Sequence, residues 1–347
     1  MSLFERYGLA SAADFRGPVS IAADGGWSTL FLWQGPEASL EFESLPSPVA
    51  LSAVDSGWWY AEIALPERFR VTYQFRVGEE LHADPLNPVG AGGDRSIAAT
   101  PDVPPQPHWP SLGAEDVVPL PKGRIRWASA ILGGRRTVRV HPVDGGGPLV
   151  LLLDGDDWLH LHPVMLAFGS AVAAGDLPPV TLVYLPTVDR EAEFGCNPEF
   201  WRAIRNELLP LLAEAGFGSD RLVVAGQSLA GLSAVYAALE FPDLVTRVAC
   251  QSGSFWWTPE AIGSADPLGG PEGGAIAERL KTETDLSRLR IAFDVGEHET
   301  RMLPHCDLVE SLVAAAGADV RISRSPSGHD RAGWREALLR DVAWALG

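Results

Sequence analysis

The chain of 347 residues has few cysteines, a deficit of positive charge and no long apolar run. Its three cysteines, Cys196, Cys250 and Cys306, are far apart and odd in number, so neither a disulfide framework nor a C-x-x-C site is expected. Lys and Arg total 27 against 45 Asp and Glu, a formal net charge of -18. A surface of that sign repels phosphate backbones and anionic lipid, so neither nucleic acid nor a membrane surface is an expected partner. An anionic small substrate stays open, because a few local arginines can reverse the field inside a cleft. No stretch approaches the about 18 consecutive apolar residues of a membrane span, so no membrane insertion is expected. The opening MSLFERYGLASAADF carries charge within its short apolar segment and does not read as a secretion signal. These absences together point to a reducing, cytoplasmic setting.

What is present is a globular composition, 46% hydrophobic and 21% charged, with 36 glycines and 28 prolines that imply many turns. Two grammars divide it. Up to about residue 100 the pattern is one of short alternating strands: SLEFES (Ser39 to Ser44), WWYAEIAL (Trp58 to Leu65) and RVTYQFRV (Arg70 to Val77). Pro, Gly and Asp separate them, which predicts a small antiparallel β-sandwich over residues 1–115. The proline-rich, aperiodic stretch Pro101 to Pro121 reads as an inter-domain linker at its end.

Residues 116–347 then alternate buried strands with helix-length segments. The strands are PLVLLLD, VTLVYLP, RLVVAG, RVACQSG and RIAFDVG. That alternation predicts an α/β fold with a mostly parallel, doubly wound sheet. A helix is expected from Asn197 to Gly216, with Trp201, Ile204, Leu208 and Leu212 on one face and a kink at Pro210. The Gly- and Pro-rich segment Ser264 to Gly274 is a candidate lid.

The informative stretch is VVAGQSLAGL, Val223 to Leu232. Gly226-Gln227-Ser228-Leu229-Ala230 nearly fits the G-x-S-x-G elbow, with strand before and helix after. Small residues two before and two after the serine let its hydroxyl stand out of the sheet edge. The Leu229 N–H, opening the helix, can donate to an oxyanion. The competing reading is an ordinary helix N-cap. A serine nucleophile needs a base, and chain order in this fold is Ser, then Asp or Glu, then His. Of His298, His305 and His329, the last lies in a loop after the strand-like VRISRS and before a C-terminal helix, which makes it the candidate base. The acid should follow RIAFDVG, where Glu299 is favoured over Glu297 and Asp294 because it can turn back toward the sheet edge. A second oxyanion donor is expected after LLLDGDDW, at the Asp156 N–H.

Other residues have plainer readings. Trp256 and Trp257 follow a strand and suit an aromatic ring of a substrate, or the core. Cys196 reads as packing. His160 and His162 form H-x-H, which reads as a loop pair and not a metal site. Trp58, Trp59 and Tyr60 read as sandwich core, with stacking on a sugar or catechol as the alternative. No cofactor is expected.

Motif order and spacing across most of the chain resemble the enterochelin (ferric enterobactin) esterases, a branch of the esterase-D-like α/β-hydrolases. The pieces are ADPLNP (Ala83 to Pro88), LLLDGDDW (Leu151 to Trp158), LPTVDREAEFGCNPEFW (Leu185 to Trp201), ELLPLL, VVAGQSLAGL, QSGSFWW (Gln251 to Trp257) and SGHDRAGW (Ser327 to Trp334). The resemblance implies a cytoplasmic serine esterase that hydrolyses the trilactone of a catecholate siderophore, with iron entering only as part of the substrate. It also implies an immunoglobulin-like first domain. Ser228 and His329 match the family's nucleophile and base, Glu299 the usual position of its acid, and Arg190 an arginine facing the substrate. Two departures stand out: Ala230 replaces the usual elbow glycine, and Asp189 stands where the family often has histidine. The latter makes the local charge less positive, although a ferric tricatecholate is an anion. An esterase for feruloyl or other simple esters, a carbohydrate-binding protein with a relic triad, and acyl transfer to an acceptor other than water are the competing expectations.

Overall fold

The computed structural model describes residues 2–55, 57–112, 118–160, 162–262, 264–283 and 285–347. The expected division at residues 115 and 116 lies outside the described residues.

The N-terminal domain is a pair of facing sheets. One runs Val19–Ala23, Gly26–Gln34, Trp58–Pro66, Ser52–Asp55; the other is built on Ser39–Phe42, Arg70–Val77 and Arg95–Ala99. All these pairings are antiparallel. Period-two alternation sends one side chain in two inward. Phe31 and Ala61 from the first sheet meet Leu40, Val71, Tyr73 and Phe75 from the second in one apolar cluster. Trp59 packs against that cluster, while Trp58 and Tyr60 pack outside it with Tyr7 and Phe15.

The C-terminal domain is built on an eight-stranded sheet in the order Gly123–Ala128, Arg135–Pro142, Thr181–Tyr184, Leu149–Leu152, Leu222–Gln227, Arg247–Gln251, Arg290–Gly296, Asp319–Ser325. From Thr181–Tyr184 onward all strands are parallel. Their near-continuous apolar runs follow from cover on both faces, and two separate core clusters lie on the two sides. Leu149–Leu152 lies between Thr181–Tyr184 and Leu222–Gln227, so the strand order reverses there. A crevice opens at such a switch point, outside the strands' carboxyl ends. The first two strands pair antiparallel and are not among those expected from the sequence.

Three other expectations are refined. The kink at Pro210 takes the form of a π-helical turn, Ile204–Leu208, between the helices Pro198–Ala203 and Leu209–Glu214. Proline has no N–H to close an ordinary turn, and the bulge absorbs the defect. Trp201, Ile204, Leu208 and Leu212 are all buried, as the spacing predicts. The described residues of the proline-rich stretch are docked on the C-terminal domain and form no free strap: Trp109 is buried beside Trp158, and Gln106 Nε2 donates to Ala332 O at 2.6 Å. The candidate lid carries the short 3-10 turn Pro267–Gly269, with Asp266 paired to Arg301 and the Leu268 carbonyl 3.2 Å from His305 Nε2.

Candidate active site

The strand Leu222–Gln227 and the helix Leu229–Glu240 are joined by one residue, Ser228, at φ 56° and ψ -122°. An L-residue adopts that backbone only when its surroundings enforce it. Space explains how. A Cβ on Gly226 would come 2.3 Å from Ala230 O, so this position admits only glycine. The buried Ala230 fits without conflict, and the close approach shifts to Gly231, where a Cβ would meet Cys250 Sγ at 3.0 Å and Gly253 Cα at 3.1 Å. The glycine missing from the strict elbow is therefore supplied one residue later.

Ser228 occupies the N-cap position but makes no side-chain cap bond. Its Oγ lies 3.0 Å from His329 Nε2 and 3.2 Å from Ser254 Oγ. His329 Nδ1 is 2.6 Å from Glu299 Oε2. A carboxylate there fixes the proton on Nδ1 and leaves Nε2 to accept from the serine. The Glu299 side chain is 1% exposed and that of His329 40%, so the acid is sealed while the imidazole reaches the cleft. Glu299 turns back toward the strand end as expected: Gly296 N–H donates to its Oε1 at 2.8 Å. The rival acids are engaged elsewhere. Glu297 pairs with Arg68 at 3.2 Å, and Asp294 accepts from Ser325 and Arg340.

Several residues to which the sequence alone assigns no role complete the arrangement. Ser252 Oγ donates to Glu299 Oε1 and accepts from Trp334 Nε1 at 2.8 Å, and the Trp334 ring meets His329 edge to face. Beneath the elbow runs a buried polar chain: Trp158 donates to Gln227, Gln227 to Gln251, and Gln251 to Asp341. Arg340 then bridges Asp341 and Asp294. Burial, with Asp341 beside it, pushes the Asp294 carboxyl up to about 7. The motifs QSGS and SGHDRAGW contain Ser252 and Trp334, but no local pattern gives them a task.

The N-terminal sandwich reaches into this site. Asp330, next to His329 and fully buried, accepts from Thr72 N (3.0 Å), Thr72 Oγ1 (2.7 Å), Ser44 Oγ (3.1 Å) and Ala332 N (2.7 Å). Arg70 N donates to Pro326 O at 2.8 Å. Arg331 is held by Glu43 from the sandwich and Asp157 from the helix Gly155–His160.

Ser228 stands where two cavities meet. One, of about 490 Å³, has Asp157, Thr187, Arg190, His329 and Arg331 in its wall. The other, of about 240 Å³, is bounded by Leu229, Ser254, Trp256, Trp257 and Ile262. Trp256 is half-buried and Trp257 buried. Arg190 is chelated by Asp154 through bonds of 2.9, 3.0 and 2.7 Å, so both arginines of the larger cavity already face carboxylates. Leu229 is the first residue of the helix Leu229–Glu240 and lines the smaller cavity beside Ser228. Asp156 lies exposed in the first turn of the helix Gly155–His160, where Gly155 N–H is taken by Leu185 O and Asp157 N–H by Asp154 O. The Cys196 thiol is pushed up to about 12 by burial and by Glu240, which keeps it protonated and unreactive. His160 is exposed, whereas His162 is buried beside Trp158.

A mostly parallel sheet that delivers a strained serine at its switch point is the frame of the α/β-hydrolase fold, and that is the fold class of this molecule. Within it, the model of the esterase family, described as putative esterase, matches residues 129–345. The chain belongs to that family. It is 34% identical over 275 residues to the iron(III) enterobactin esterase of Escherichia coli, an alignment covering 75% of this chain and 66% of that protein. It is 32% identical over 281 residues to the enzyme of the same name from Dickeya dadantii, covering 76% and 65%. The chain thus spans slightly less than two thirds of these curated relatives. Among solved structures, the ferric enterobactin esterase of Salmonella typhimurium superposes with a TM-score of 0.80 at 27% identity, over 96% of this chain and 97% of that one. The enterobactin esterase of Shigella flexneri, crystallised in the presence of enterobactin, gives 0.79 at 27%, over 94% and 95%.

Proposed function

We propose that the protein hydrolyses the trilactone ester bonds of a catecholate siderophore such as enterobactin, in its ferric or iron-free form, and so releases iron for use. The observation that carries this reading is the continuous contact Ser228–His329–Glu299 on an elbow that does not cap its helix. The names of the relatives supply the substrate class.

In the proposed mechanism His329 Nε2 takes the proton of Ser228 as Oγ attacks the ester carbonyl. Glu299 holds the imidazole and stabilises the imidazolium. The N–H groups of Leu229 and Asp156 donate to the oxyanion. His329 then protonates the leaving serine alkoxide, the trilactone opens, and a water activated by the same imidazole clears the acyl-enzyme. Trp256 offers an aromatic face to a catechol, and Arg190 a partly compensated cation. Iron enters with the substrate, and the chemistry asks for no other cofactor. We assign the activity to the cytoplasm, where the three free thiols suit a reducing compartment.

Incubation with ferric and iron-free enterobactin, beside a p-nitrophenyl ester, tests the reading by chromatography. Loss of trilactone with appearance of linear dihydroxybenzoylserine fragments is expected. Cleavage of the simple ester alone would move the function to another ester class.

A further inference from the structure

A second cavity, of about 430 Å³, lies between the sandwich, the docked proline-rich stretch and the C-terminal helix Arg331–Leu346. Two guanidinium groups form part of its wall, Arg335 at 2% exposure and Arg70 at 5%. Burying one cation costs several kcal/mol unless it is paired. Burying two side by side costs more. Yet the Nε and Nη1 of Arg335 are buried with no hydrogen-bond partner among the described residues. Arg70 Nη2 donates to a neutral acceptor, the Pro104 carbonyl. The carboxylates that act on both do so without bonding either: Asp330 is already saturated by Thr72, Ser44 and Ala332, and Glu336 keeps its own Oε2 unpartnered. Burial brings Arg335 down to about 9, with Arg70 adding to the effect, and burial brings Arg70 down to about 10. Arg16 adds a third cation at the rim.

The rest of the wall is apolar. Val89, Ile97, Val103 and Pro104 line it, and Trp109 stacks under Arg335 with its ring centroid 4.5 Å from the guanidinium carbon. A bare inorganic anion would satisfy the arginines and leave those surfaces uncovered. An organic acid with a small apolar or aromatic body satisfies both, the carboxylate on the paired guanidiniums and the body against the apolar wall.

We propose that this interdomain cavity is a binding site for a small organic carboxylate, separate from the cleft at Ser228. Its occupant would tie the sandwich strand Arg70–Val77 to the helix that follows His329.

Benzoate is the probe, with phosphate and chloride at equal ionic strength as comparators. Thermal unfolding and titration calorimetry on the full chain should show one saturable benzoate site, a melting temperature that rises with occupancy, and a weaker response to phosphate. Arg335→Gln should weaken benzoate at least about tenfold, the scale of one lost charge-assisted hydrogen bond. Because that side chain is buried and its variant can fail to fold, Val89→Trp serves as the second variant. Val89 lies exposed on the wall, and the indole should obstruct the cavity with the arginines intact. Benzoate acting no better than chloride would overturn the proposal, as would a site unmoved in the folded variants. Phosphate binding more tightly than benzoate would overturn the assignment to an organic acid.

Discussion

The two halves of the molecule contribute to the cleft in different ways. The hydrolase half supplies the contact Ser228–His329–Glu299 and, in the proposed mechanism, the oxyanion donors at Leu229 and Asp156. The sandwich supplies none of them, but it clamps the loop that carries the base. Thr72 and Ser44 reach across to Asp330, and Glu43 to Arg331. A histidine on a surface loop is ordinarily free to wander. Here the residue after it is fixed by four hydrogen bonds, three of them from another domain. The sandwich thus acts as an external brace for the base.

The largest effect should come from the chemical side. Glu299→Gln should lower kcat by about a thousandfold or more, since an amide no longer fixes the Nδ1 proton. Steady-state kinetics on a p-nitrophenyl ester checks this, and a loss under tenfold would show that the acid is dispensable. Thr72→Val probes the brace. It removes one donor from a buried carboxylate at a cost of about 1–3 kcal/mol in local stability. With the chemistry intact, kcat should fall about threefold to thirtyfold if part of that cost is felt at His329, and Thr72→Ser should restore it. Equal losses in Thr72→Val and Thr72→Ser would break the proposed division of labour.

A smaller effect is expected where the two halves share a charge. Glu43→Gln leaves Arg331 with Asp157 alone and makes the larger cavity more positive. KM for ferric enterobactin should fall about threefold, a gain of order 1 kcal/mol or less for a screened charge near the surface. KM for a neutral ester should stay unchanged, and a parallel change in both would rule out an electrostatic origin.

The subtlest test is deep in the hydrolase half. The Asp294 carboxyl is raised to about 7, against an ordinary 3.8. Between those values the folded protein holds a proton that the unfolded chain has released. This group therefore adds stability as pH falls below about 7 and loses it as pH rises through 7. Urea unfolding of wild type and Asp294→Asn should diverge with pH, the variant gaining on the wild type from about pH 4 to about pH 7 and running parallel to it above that. Parallel stabilities would contradict the shift.

The sequence disclosed the elements of the site that depend on neighbours along the chain. The elbow at Ser228, the turn that brings Glu299 back onto Gly296 and the loop holding His329 are all local events. The brace was not legible, because Thr72 and Asp330 are 258 residues apart and each alone reads as an unremarkable polar residue. The charge balance of the cleft was hidden for the same reason. Arg190 was visible as a cation, but its chelation by Asp154 depends on the meeting of two loops. The strand Arg135–Pro142 was hidden because Arg135 and Arg139 stand on its outward face and the inward face, beside Val138 and Val140, carries a third arginine, Arg136, buried and paired with Glu193.

Intact-protein and peptide mass spectrometry on enzyme quenched during turnover of enterobactin, with Ser228→Ala in parallel, tests the role of Ser228 as nucleophile most directly. A dihydroxybenzoylserine-containing acyl adduct is expected on the peptide bearing Ser228. The Ser228→Ala variant should fold, carry no adduct and leave the trilactone intact. Trilactone hydrolysis that persists in the variant would rule out Ser228 as the nucleophile.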